Sequence, residues 1–251
     1  MKLTTHLPST LSPQKATTHP FLAAAGKGLL PATTLSQWLS QDRLYAQAYV
    51  RFIGLLLSKM QLPVVPTASS SPSEPTTRAV GILIDAVVNI QRELQFFEEV
   101  AREYTLDLNC VPDSDPDPET ETEAGGGKAK AKFGPAPITH AYIDMFMAAG
   151  SPAVSVLEGL VVLWATEVCY LRAWRYAASF LGEAGGRDAD GGALRERFIP
   201  NWSSGEFEAF VEDIAQVVDV MGESADAEMV GRCERWWRQV VWLEERFWPE
   251  V

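Results

Sequence analysis

The chain has 251 residues, 47% of them hydrophobic, which is enough apolar surface for one sizeable core without disulfide support. Its formal charge of -12 repels phosphate groups, which removes the attraction that drives binding to nucleic acid and to anionic membranes. The three cysteines are far apart and in no C-x-x-C arrangement, so they indicate neither a disulfide framework nor a zinc site, and we expect a cytoplasmic protein.

The chain begins with a polar segment. Residues 1–18 are rich in threonine, serine and proline and contain little to bury, which predicts a mobile tail before a domain over residues 19–251. This segment has no acidic residue, so an organelle-targeting sequence is an alternative to the cytoplasm. Residues 63–77 and 112–133 are similarly polar and rich in proline or glycine, which predicts disordered loops between helices.

Between these segments, apolar residues recur every three or four positions, which is typical of amphipathic helices. No stretch alternates cleanly between polar and apolar residues over six positions, so we predict no strands. The predicted fold class is therefore all-α, a single-domain helical bundle. Its predicted helices cover about residues 34–58, 78–104, 138–149, 152–181, 204–221 and 226–248.

Helix-capping residues stand before three of these blocks. Ser151 followed by Pro152, Ser204, and Ser224 with Asp226 are the expected N-terminal signals. We therefore expect the fourth, fifth and sixth helices to begin at these positions.

The sequence lacks the short motifs of common catalytic and metal sites. G-x-S-x-G, H-E-x-x-H, G-x-G-x-x-G and the E-x-x-H pairs of metal-binding bundles are all absent. Of the three histidines, His6 lies in the predicted tail and His19 precedes a proline, which leaves His140 as the one expected within a helix. Proton transfer would therefore rely on carboxylates and phenols.

An acidic residue and two tyrosines share one face of the first predicted helix. Tyr45 and Tyr49 follow Asp42 at offsets of three and seven residues, which places all three on one stripe with Trp38 and Phe52. An acid on such a stripe is costly to bury unless it is paired or holds a polar ligand. Asp42 is thus a candidate ligand-binding residue; the alternative is that it faces solvent at the edge of the stripe.

Glu167 lies in the middle of the most apolar predicted helix, in the string LWATEVCYLRAW. Tyr170, three residues later, projects from the same face, whereas Cys169 points away. A carboxylate among apolar side chains should have a raised pKa, which suits a general acid or base. The alternatives are a buried ion pair with Arg172 or Arg175, or exposure to solvent.

The C-terminal string WLEERFW holds a third candidate. Glu244 and Trp248 are four residues apart and share a helix face, whereas Glu245 lies on another face, in solvent. The many aromatic residues here favour a core over a stacking platform for nucleic acid, because the chain's charge opposes nucleic-acid binding.

Taken in order, five stretches of the sequence resemble the TenA/THI-4 family. The first is HPFLAAAGKGLLPATTLSQWLSQDRLYAQAYVRF, over residues 19–52, and the others are AYIDMF, LWATEVCY, FIPNWSSGEF and the final E-x-x-F-W. The resemblance covers nearly the whole chain outside residues 1–18 and the two predicted loops. It implies a haem-oxygenase-like helical fold and an activity on thiamin or its pyrimidine breakdown products.

The resemblance also implies roles for individual residues. Asp42 matches the acid that grips the amino group and ring nitrogen of the pyrimidine. Tyr45, Tyr49 and Tyr142 match aromatic residues of the pocket, which stack on the ring or form hydrogen bonds with it. Glu244 matches the C-terminal catalytic glutamate of the family.

Two positions depart from the cysteine-containing branch of the family. Thr166 stands where that branch has its nucleophilic cysteine, four residues before Tyr170. The string W-A-T-E-x-x-Y, which contains Glu167, is instead similar to the other branch of the family, in which a glutamate replaces the cysteine. Trp202 stands where the cysteine branch usually has tyrosine, which would make the site more apolar. Without a thiolate at that position, covalent cleavage by cysteine is disfavoured.

These matches imply a hydrolase that cleaves a C–N bond in an aminomethyl- or acylaminomethyl-pyrimidine. Glu167 and Glu244 would be the acid/base pair that activates water, with Asp42, Tyr45, Tyr49, Tyr142, Tyr170 and Trp202 around the substrate. The resemblance implies no metal or organic cofactor, and a homo-oligomer, either a dimer or a tetramer. The alternatives are a non-catalytic or regulatory ligand-binding protein, and a cofactorless oxidoreductase or haem-degrading enzyme.

Overall fold

The described part of the chain is helical. The computed structural model describes residues 1–62, 75–111, 132–183 and 186–251, and within these ranges it contains no strand. The predicted all-α bundle is therefore confirmed. Its α-helices are α1 (Leu3–Thr10), α2 (Gln14–Thr17), α3 (Pro20–Gly26), α4 (Ala32–Ser58), α5 (Pro75–Tyr104), α6 (Pro137–Gly150), α7 (Val156–Ala178), α8 (Ile199–Trp202), α9 (Gly205–Gly222) and α10 (Ala227–Phe247).

The two predicted loops fall largely outside the described residues. Within the range 63–77, the structure describes only residues 75–77, and these form the first turn of α5. Within the range 112–133, it describes only residues 132 and 133, which belong to no helix. None of the described helices is both long and apolar enough to cross a membrane.

The N-terminal residues contradict the predicted mobile tail. Leu3 and Leu7, four residues apart on α1, are fully buried in the core. Helix α1 packs against α9 and α10, and the hydroxyl of Thr4 donates hydrogen bonds to Asp219 at 2.9 and 3.0 Å. Two well-spaced leucines are enough to bury a short helix when longer helices supply the opposing surface, which composition alone does not reveal.

The core has two clusters of buried side chains. The larger one involves α1, the second half of α4, α6, most of α7, α9 and α10. The smaller one involves α3, the start of α4, the end of α5, the end of α7 and the segment 193–202. Tyr45 packs against the larger cluster and Tyr170 against the smaller one, so these two rings mark where the clusters meet.

The most deeply buried helix, α7, begins four residues later than predicted. Ser155 is its N-cap: the side chain accepts a hydrogen bond from the Glu158 N–H, and the Glu158 carboxylate accepts one from the Ser155 N–H. This is a capping box. Ser151 instead ends α6, and its carbonyl accepts a hydrogen bond from Lys59 Nζ at 3.0 Å.

The other two predicted helix starts are close to the observed ones. Ser204 is the N-cap of α9, and its side chain accepts a hydrogen bond from the Phe207 N–H at 3.2 Å. Asp226 is the N-cap of α10, and its carboxylate accepts a hydrogen bond from the Met229 N–H at 2.8 Å. Polar side chains satisfy the free N–H groups at both helix starts.

Candidate active site

A cavity of about 310 Å³ opens between four long helices and the short helix α8. This volume is suited to a single-ring ligand with short substituents. Helices α4, α5, α7 and α9 supply most of the wall, and none of the lining residues comes from α6 or α10. The polar and aromatic side chains of the wall are Asp42, Tyr45, Tyr49, Asn89, Arg92, Glu93, Phe97, Glu167, Tyr170, Asn201, Trp202, Ser204, Glu206, Phe207 and Phe210.

Asp42 is buried at this cavity, which rules out the solvent-facing alternative. Asp42 is only 3% exposed, and the Tyr170 hydroxyl donates a hydrogen bond of 3.2 Å to its Oδ2. Burial raises the pKa of Asp42 well above its ordinary value, and the nearby charge of Glu93 raises it further. Asp42 therefore reaches the cavity from α4 and can hold a proton or accept a hydrogen bond there.

Glu167 reaches the same cavity from α7. The Tyr49 hydroxyl donates a hydrogen bond of 2.6 Å to its Oε1. Burial raises the pKa of Glu167 to about 7, although the hydrogen bond from Tyr49 opposes this shift. The alternative ion pair with Arg175 is not formed, since Arg175 pairs with Glu208 at 2.5 Å.

A third carboxylate at the cavity, Glu93 of α5, was not among the sequence candidates. Its Oε1 accepts a hydrogen bond of 2.5 Å from the indole N–H of Trp202, and its Oε2 accepts one of 3.1 Å from the Asn201 amide. Burial raises the pKa of Glu93 to about 7 against these two hydrogen bonds. The prediction that Trp202 makes the site more apolar is therefore wrong, because its indole nitrogen is paired with an acid.

A sequence signal for Glu93 does exist. Ala86, Ile90, Glu93 and Phe97 all line the cavity and follow one another at steps of four, three and four residues. They thus form one stripe of α5, in which a single acid interrupts apolar side chains. This is the pattern that singled out Asp42 on α4, so the same test applied to α5 finds Glu93.

Tyr142 and Glu244 lie outside the cavity wall, which corrects the prediction of one chamber with all three predicted acids. The Tyr142 hydroxyl donates a hydrogen bond of 2.6 Å to Glu244 Oε1, and both residues are buried. Burial raises the pKa of Glu244 to about 8. The ring of Tyr45, which does line the cavity, contacts that of Tyr142 edge-on at 5.1 Å, so the Tyr142–Glu244 pair forms a layer behind Tyr45.

The C-terminal aromatic residues belong mainly to the core, as predicted. Trp237 is fully buried, and Trp248 is 4% exposed and stacks on Trp38 with ring centroids 5.7 Å apart. The Trp248 indole N–H donates a hydrogen bond of 2.8 Å to the carbonyl of Ala16. The exception is Trp242, which is 48% exposed.

None of the three histidines lines the cavity. His6 lies 2.8 Å from Glu234 at the surface between α1 and α10, and His19 accepts the Phe21 N–H as the N-cap of α3. His140 is exposed and lies 3.2 Å from Asp144. Within the described ranges there is also no group of three or more His, Cys, Asp and Glu side chains that could hold a metal ion.

The geometry gathers six of the eight predicted site residues at one cavity. Two acids and four aromatic residues reach it from α4, α7 and α8, namely Asp42, Tyr45, Tyr49, Glu167, Tyr170 and Trp202. Burial raises the pKa of both carboxyl groups, that of Glu167 to about 7, and the rings provide flat surfaces and hydroxyl groups. Such a site can bind a planar polar ligand and perform acid/base chemistry on it.

Comparison with known proteins gives one family match and one curated relative. Residues 10–115 match the model of the TENA/THI-4/PQQC family. The chain is 30% identical over 272 residues to a protein of Fusarium pseudograminearum (strain CS3096) named "Probable transcription factor". That alignment covers 94% of the chain and 49% of the relative, so the chain spans about half of the relative's length.

Solved structures with the same fold cover nearly the whole chain. A TenA homologue from Pyrococcus furiosus has a TM-score of 0.74 and 20% identity, covering 98% of both chains. A TenA homologue from P. horikoshii OT3 has a TM-score of 0.69 and 19% identity, covering 99% of this chain and 97% of that one. A TenA family transcription regulator from Silicibacter sp. TM1040 has a TM-score of 0.67 and 16% identity, covering 98% and 95%.

Proposed function

We propose that the chain is a member of the TENA/THI-4/PQQC family, whose model matches residues 10–115, and that it hydrolyses a C–N bond in a thiamin-derived pyrimidine. The substrate would be an aminomethyl- or acylaminomethyl-pyrimidine released by thiamin breakdown. The observation that carries the proposal is that Asp42 and Glu167, from two different helices, face one cavity lined by phenol rings. A family fold alone would not support this activity, because one scaffold hosts unrelated functions.

Asp42 is proposed as the anchor for the pyrimidine. An aminopyrimidine presents an N–H donor beside a ring nitrogen, and a carboxyl group can bind both at once. Tyr170 donates to Asp42 Oδ2 and so fixes the orientation of this carboxyl group. The rings of Tyr45 and Tyr49 line the same cavity and provide apolar surface for the ring.

Glu167 is proposed as the group that activates water. Its ionised form accepts a proton from water while the water oxygen attacks the carbon of the C–N bond. A C–O bond forms, the C–N bond breaks, and the leaving nitrogen takes up the proton that Glu167 received from water. With a pKa of about 7, Glu167 is present in both the ionised and the protonated form near neutral pH. Both forms are needed by a group that first accepts a proton and then returns it.

Glu244 is proposed as a positioning residue and not as a group that contacts the substrate. It is hydrogen-bonded to Tyr142 and lies behind Tyr45. Burial raises the pKa of the Tyr45 phenol, and the charges of Glu167 and then of Glu244 raise it further. An ionised Glu244 would therefore favour the neutral form of the Tyr45 phenol in the cavity wall. Glu244→Gln retains the acceptor for Tyr142, so we expect a smaller loss of turnover than in Glu167→Gln.

Incubation with a panel of thiamin degradation products, followed by mass spectrometry, tests the proposed activity. We expect one pyrimidine to lose its amine or acylamine group in the presence of the wild-type protein. Glu167→Gln should slow this conversion by about a hundredfold or more, whereas Glu212→Gln, an exposed change on α9, should leave its rate unchanged. Equal conversion by both variants would show that Glu167 does not perform the reaction.

A second candidate is a regulatory protein that binds a pyrimidine without cleaving it. It is favoured by the names of two similar proteins, "Probable transcription factor" for the Fusarium relative and "transcription regulator" for the Silicibacter structure. The charge of -12 argues that these 251 residues do not contact DNA themselves. Ligand-induced thermal stabilisation of the wild-type protein with no product from any panel member would support this candidate over the hydrolase.

We also propose that the chain forms a homo-oligomer, a dimer or a tetramer. Trp242 of α10 is 48% exposed, and an exposed tryptophan is typical of an interface anchor. Light scattering on the purified chain should give a multiple of its 27.6 kDa mass, and Trp242→Glu should lower that mass. A wild-type mass of one chain would contradict this proposal.

A further inference from the structure

The carboxyl group of Glu93 is held in place at the cavity wall. The Trp202 indole and the Asn201 amide each donate to one of its two oxygens, at 2.5 and 3.1 Å. The Trp202 ring is itself fixed, because it is 3% exposed and stacks on Phe198 with centroids 4.6 Å apart. Since each carboxylate oxygen has two acceptor sites, both oxygens of Glu93 can still accept a hydrogen bond from a ligand.

The acids of the cavity have no positive partner inside it. Asp42, Glu93 and Glu167 all line the wall, and no described ion pair involves any of them. Arg92 is the one positively charged residue among the described lining residues, and its side chain is exposed. With Glu206, which is exposed, the described part of the wall has four carboxyl groups and one arginine, and this excess of acids favours a ligand that brings a positive charge of its own.

The three acids differ in what surrounds them. Asp42 is hydrogen-bonded to Tyr170 and Glu167 to Tyr49, whereas Glu93 of α5 is hydrogen-bonded to Trp202 and Asn201, both of α8. The charge of Glu93 raises the pKa values of both Asp42 and Glu167, after burial, so its carboxyl group is close to each of the others. A ligand anchored at Asp42 can therefore present a substituent to Glu93.

We propose that Glu93 binds the positively charged group of the ligand and selects a free amine over its neutral acylated form. This proposal rests on the proposed function, because it assumes that the ligand is a pyrimidine with an aminomethyl substituent. Such an amine is protonated at neutral pH, as a lysine is, and an ammonium has three donors for carboxylate oxygens. Acylation removes both the charge and two of the donors, so the acylaminomethyl form loses this contact.

Calorimetric titration of wild-type protein and Glu93→Gln with an aminomethyl-aminopyrimidine and its N-formyl derivative tests the proposal. The wild-type protein should bind the free amine more tightly. Glu93→Gln should weaken binding of the amine by about tenfold to a hundredfold, as for loss of a charged hydrogen bond, and change binding of the formyl derivative by less than about threefold.

The matched control is Glu99→Gln, which removes one negative charge from an exposed position of the same helix. It should leave both affinities unchanged. The amide oxygen of Glu93→Gln still accepts the indole N–H of Trp202, and the Asn201 amide can turn its oxygen toward the new NH2 group, so the thermal unfolding midpoint should stay close to that of the wild type. Equal weakening of amine and formyl derivative, or no effect on either, would overturn the assignment of Glu93.

A second ligand pair separates this proposal from the pyrimidine hypothesis. Benzamidinium and benzamide have the same planar shape and differ in charge. If neither pyrimidine binds the wild-type protein, the proposed function fails, but benzamidinium should still bind more tightly than benzamide in a manner that Glu93→Gln abolishes. Absence of that charge preference in the wild-type protein would overturn the role of Glu93 independently.

Discussion

Burial, more than neighbouring charge, sets the proton affinity of the acids at the cavity. It is the largest cause of the raised pKa at Asp42, Glu93 and Glu167, where hydrogen bonds from aromatic residues oppose it. Glu208 shows the contrast, because a hydrogen bond from Arg175 lowers the pKa of this surface acid. Glu93 and Glu167, whose pKa values are raised to about 7, therefore exchange protons at neutral pH, which ordinary surface acids do not.

The pH dependence of turnover should report Glu167. Because the ionised form accepts the proton from water and its pKa is about 7, we expect turnover per bound substrate to fall as the pH decreases through this value. Glu167→Gln should lower turnover by about a hundredfold to ten-thousandfold and leave binding within a few-fold of the wild type. Steady-state kinetics and calorimetry measure the two quantities. A profile without an acidic limb near neutral pH would assign proton transfer to another group.

Part of the site could be predicted from the sequence, because three of its residues lie on one helix. Asp42, Tyr45 and Tyr49 belong to α4, and helical periodicity alone places them on a common face. Whether Glu244 shares the cavity with them depends instead on how α10 packs behind Tyr45. That contact joins residues about two hundred positions apart, and no local pattern contains it.

At the scale of helices, sequence patterns predict where α4, α9 and α10 lie, but short-range capping decides where α7 begins. Ser151 followed by Pro152 has the expected chemistry of a helix start, yet Ser155 with Glu158 forms a reciprocal pair of hydrogen bonds. Two capping groups satisfy more backbone N–H groups than one. Of the two candidate N-cap residues, Ser155 is therefore the one that begins α7, because Glu158 supplies the second capping hydrogen bond.

The two serines provide a direct test of this helix start. Ser155→Ala removes the side-chain acceptor of the cap and should lower the free energy of unfolding by about 1 kcal/mol. Ser151→Ala, the matched control, removes a side chain that caps no helix, so we expect a change within about 0.5 kcal/mol. Urea denaturation measures both. A larger loss in Ser151→Ala than in Ser155→Ala would place the helix start at the earlier serine.

Helix α3 approaches α7 so closely that only glycine fits at the contact. A Cβ atom added at Gly26 would lie 2.0 Å from the carbonyl oxygen of Ala177, which is backbone and cannot move aside. We expect Gly26→Ala to lower the free energy of unfolding by about 2 kcal/mol or more. Gly81→Ala on α5, where a Cβ meets no atom within 4 Å, should instead raise it by about 0.5–1 kcal/mol. Equal effects of the two substitutions in thermal or urea unfolding would contradict the close approach.

For the molecule as a whole, hydrophobic periodicity predicted the all-α fold, whereas composition misjudged the first residues. Hydrophobic periodicity is repeated over six long helices, so the fold class follows from many consistent signals. Leu3 and Leu7 provide only two buried side chains in α1, and their burial depends on surface supplied by α9 and α10. Such an element cannot be predicted from its own residues.

The buried acids should make the whole molecule less stable as the pH rises. Glu244 has a pKa of about 8 in the folded chain and near 4.5 when unfolded, so the folded state binds more protons between these values. The free energy of unfolding should therefore fall as the pH increases from about 4.5 to about 8, with a contribution from Glu244 on the order of a few kcal/mol.

Glu244→Gln isolates this contribution, because the amide does not ionise and still accepts the Tyr142 hydroxyl. We expect the variant to match the wild type near about pH 5 and to exceed its stability near about pH 9. Glu245→Gln, on the next position of α10, should keep the wild-type dependence. Parallel curves for Glu244→Gln and the wild type in urea denaturation would show that Glu244 is not a raised-pKa group in the folded protein.

The central claim, that water activated at Glu167 cleaves a C–N bond of a pyrimidine bound at Asp42, is tested most directly by isotope labelling. Turnover in water enriched in the heavy oxygen isotope should place a labelled oxygen on the carbon of the cleaved C–N bond. That carbon is the hydroxymethyl carbon for an aminomethyl substrate and the carboxylic acid for an acylated one. Mass spectrometry should detect the label with wild-type protein and none with Glu167→Gln. An unlabelled product, or labelled product from both proteins at the same rate, would contradict the account.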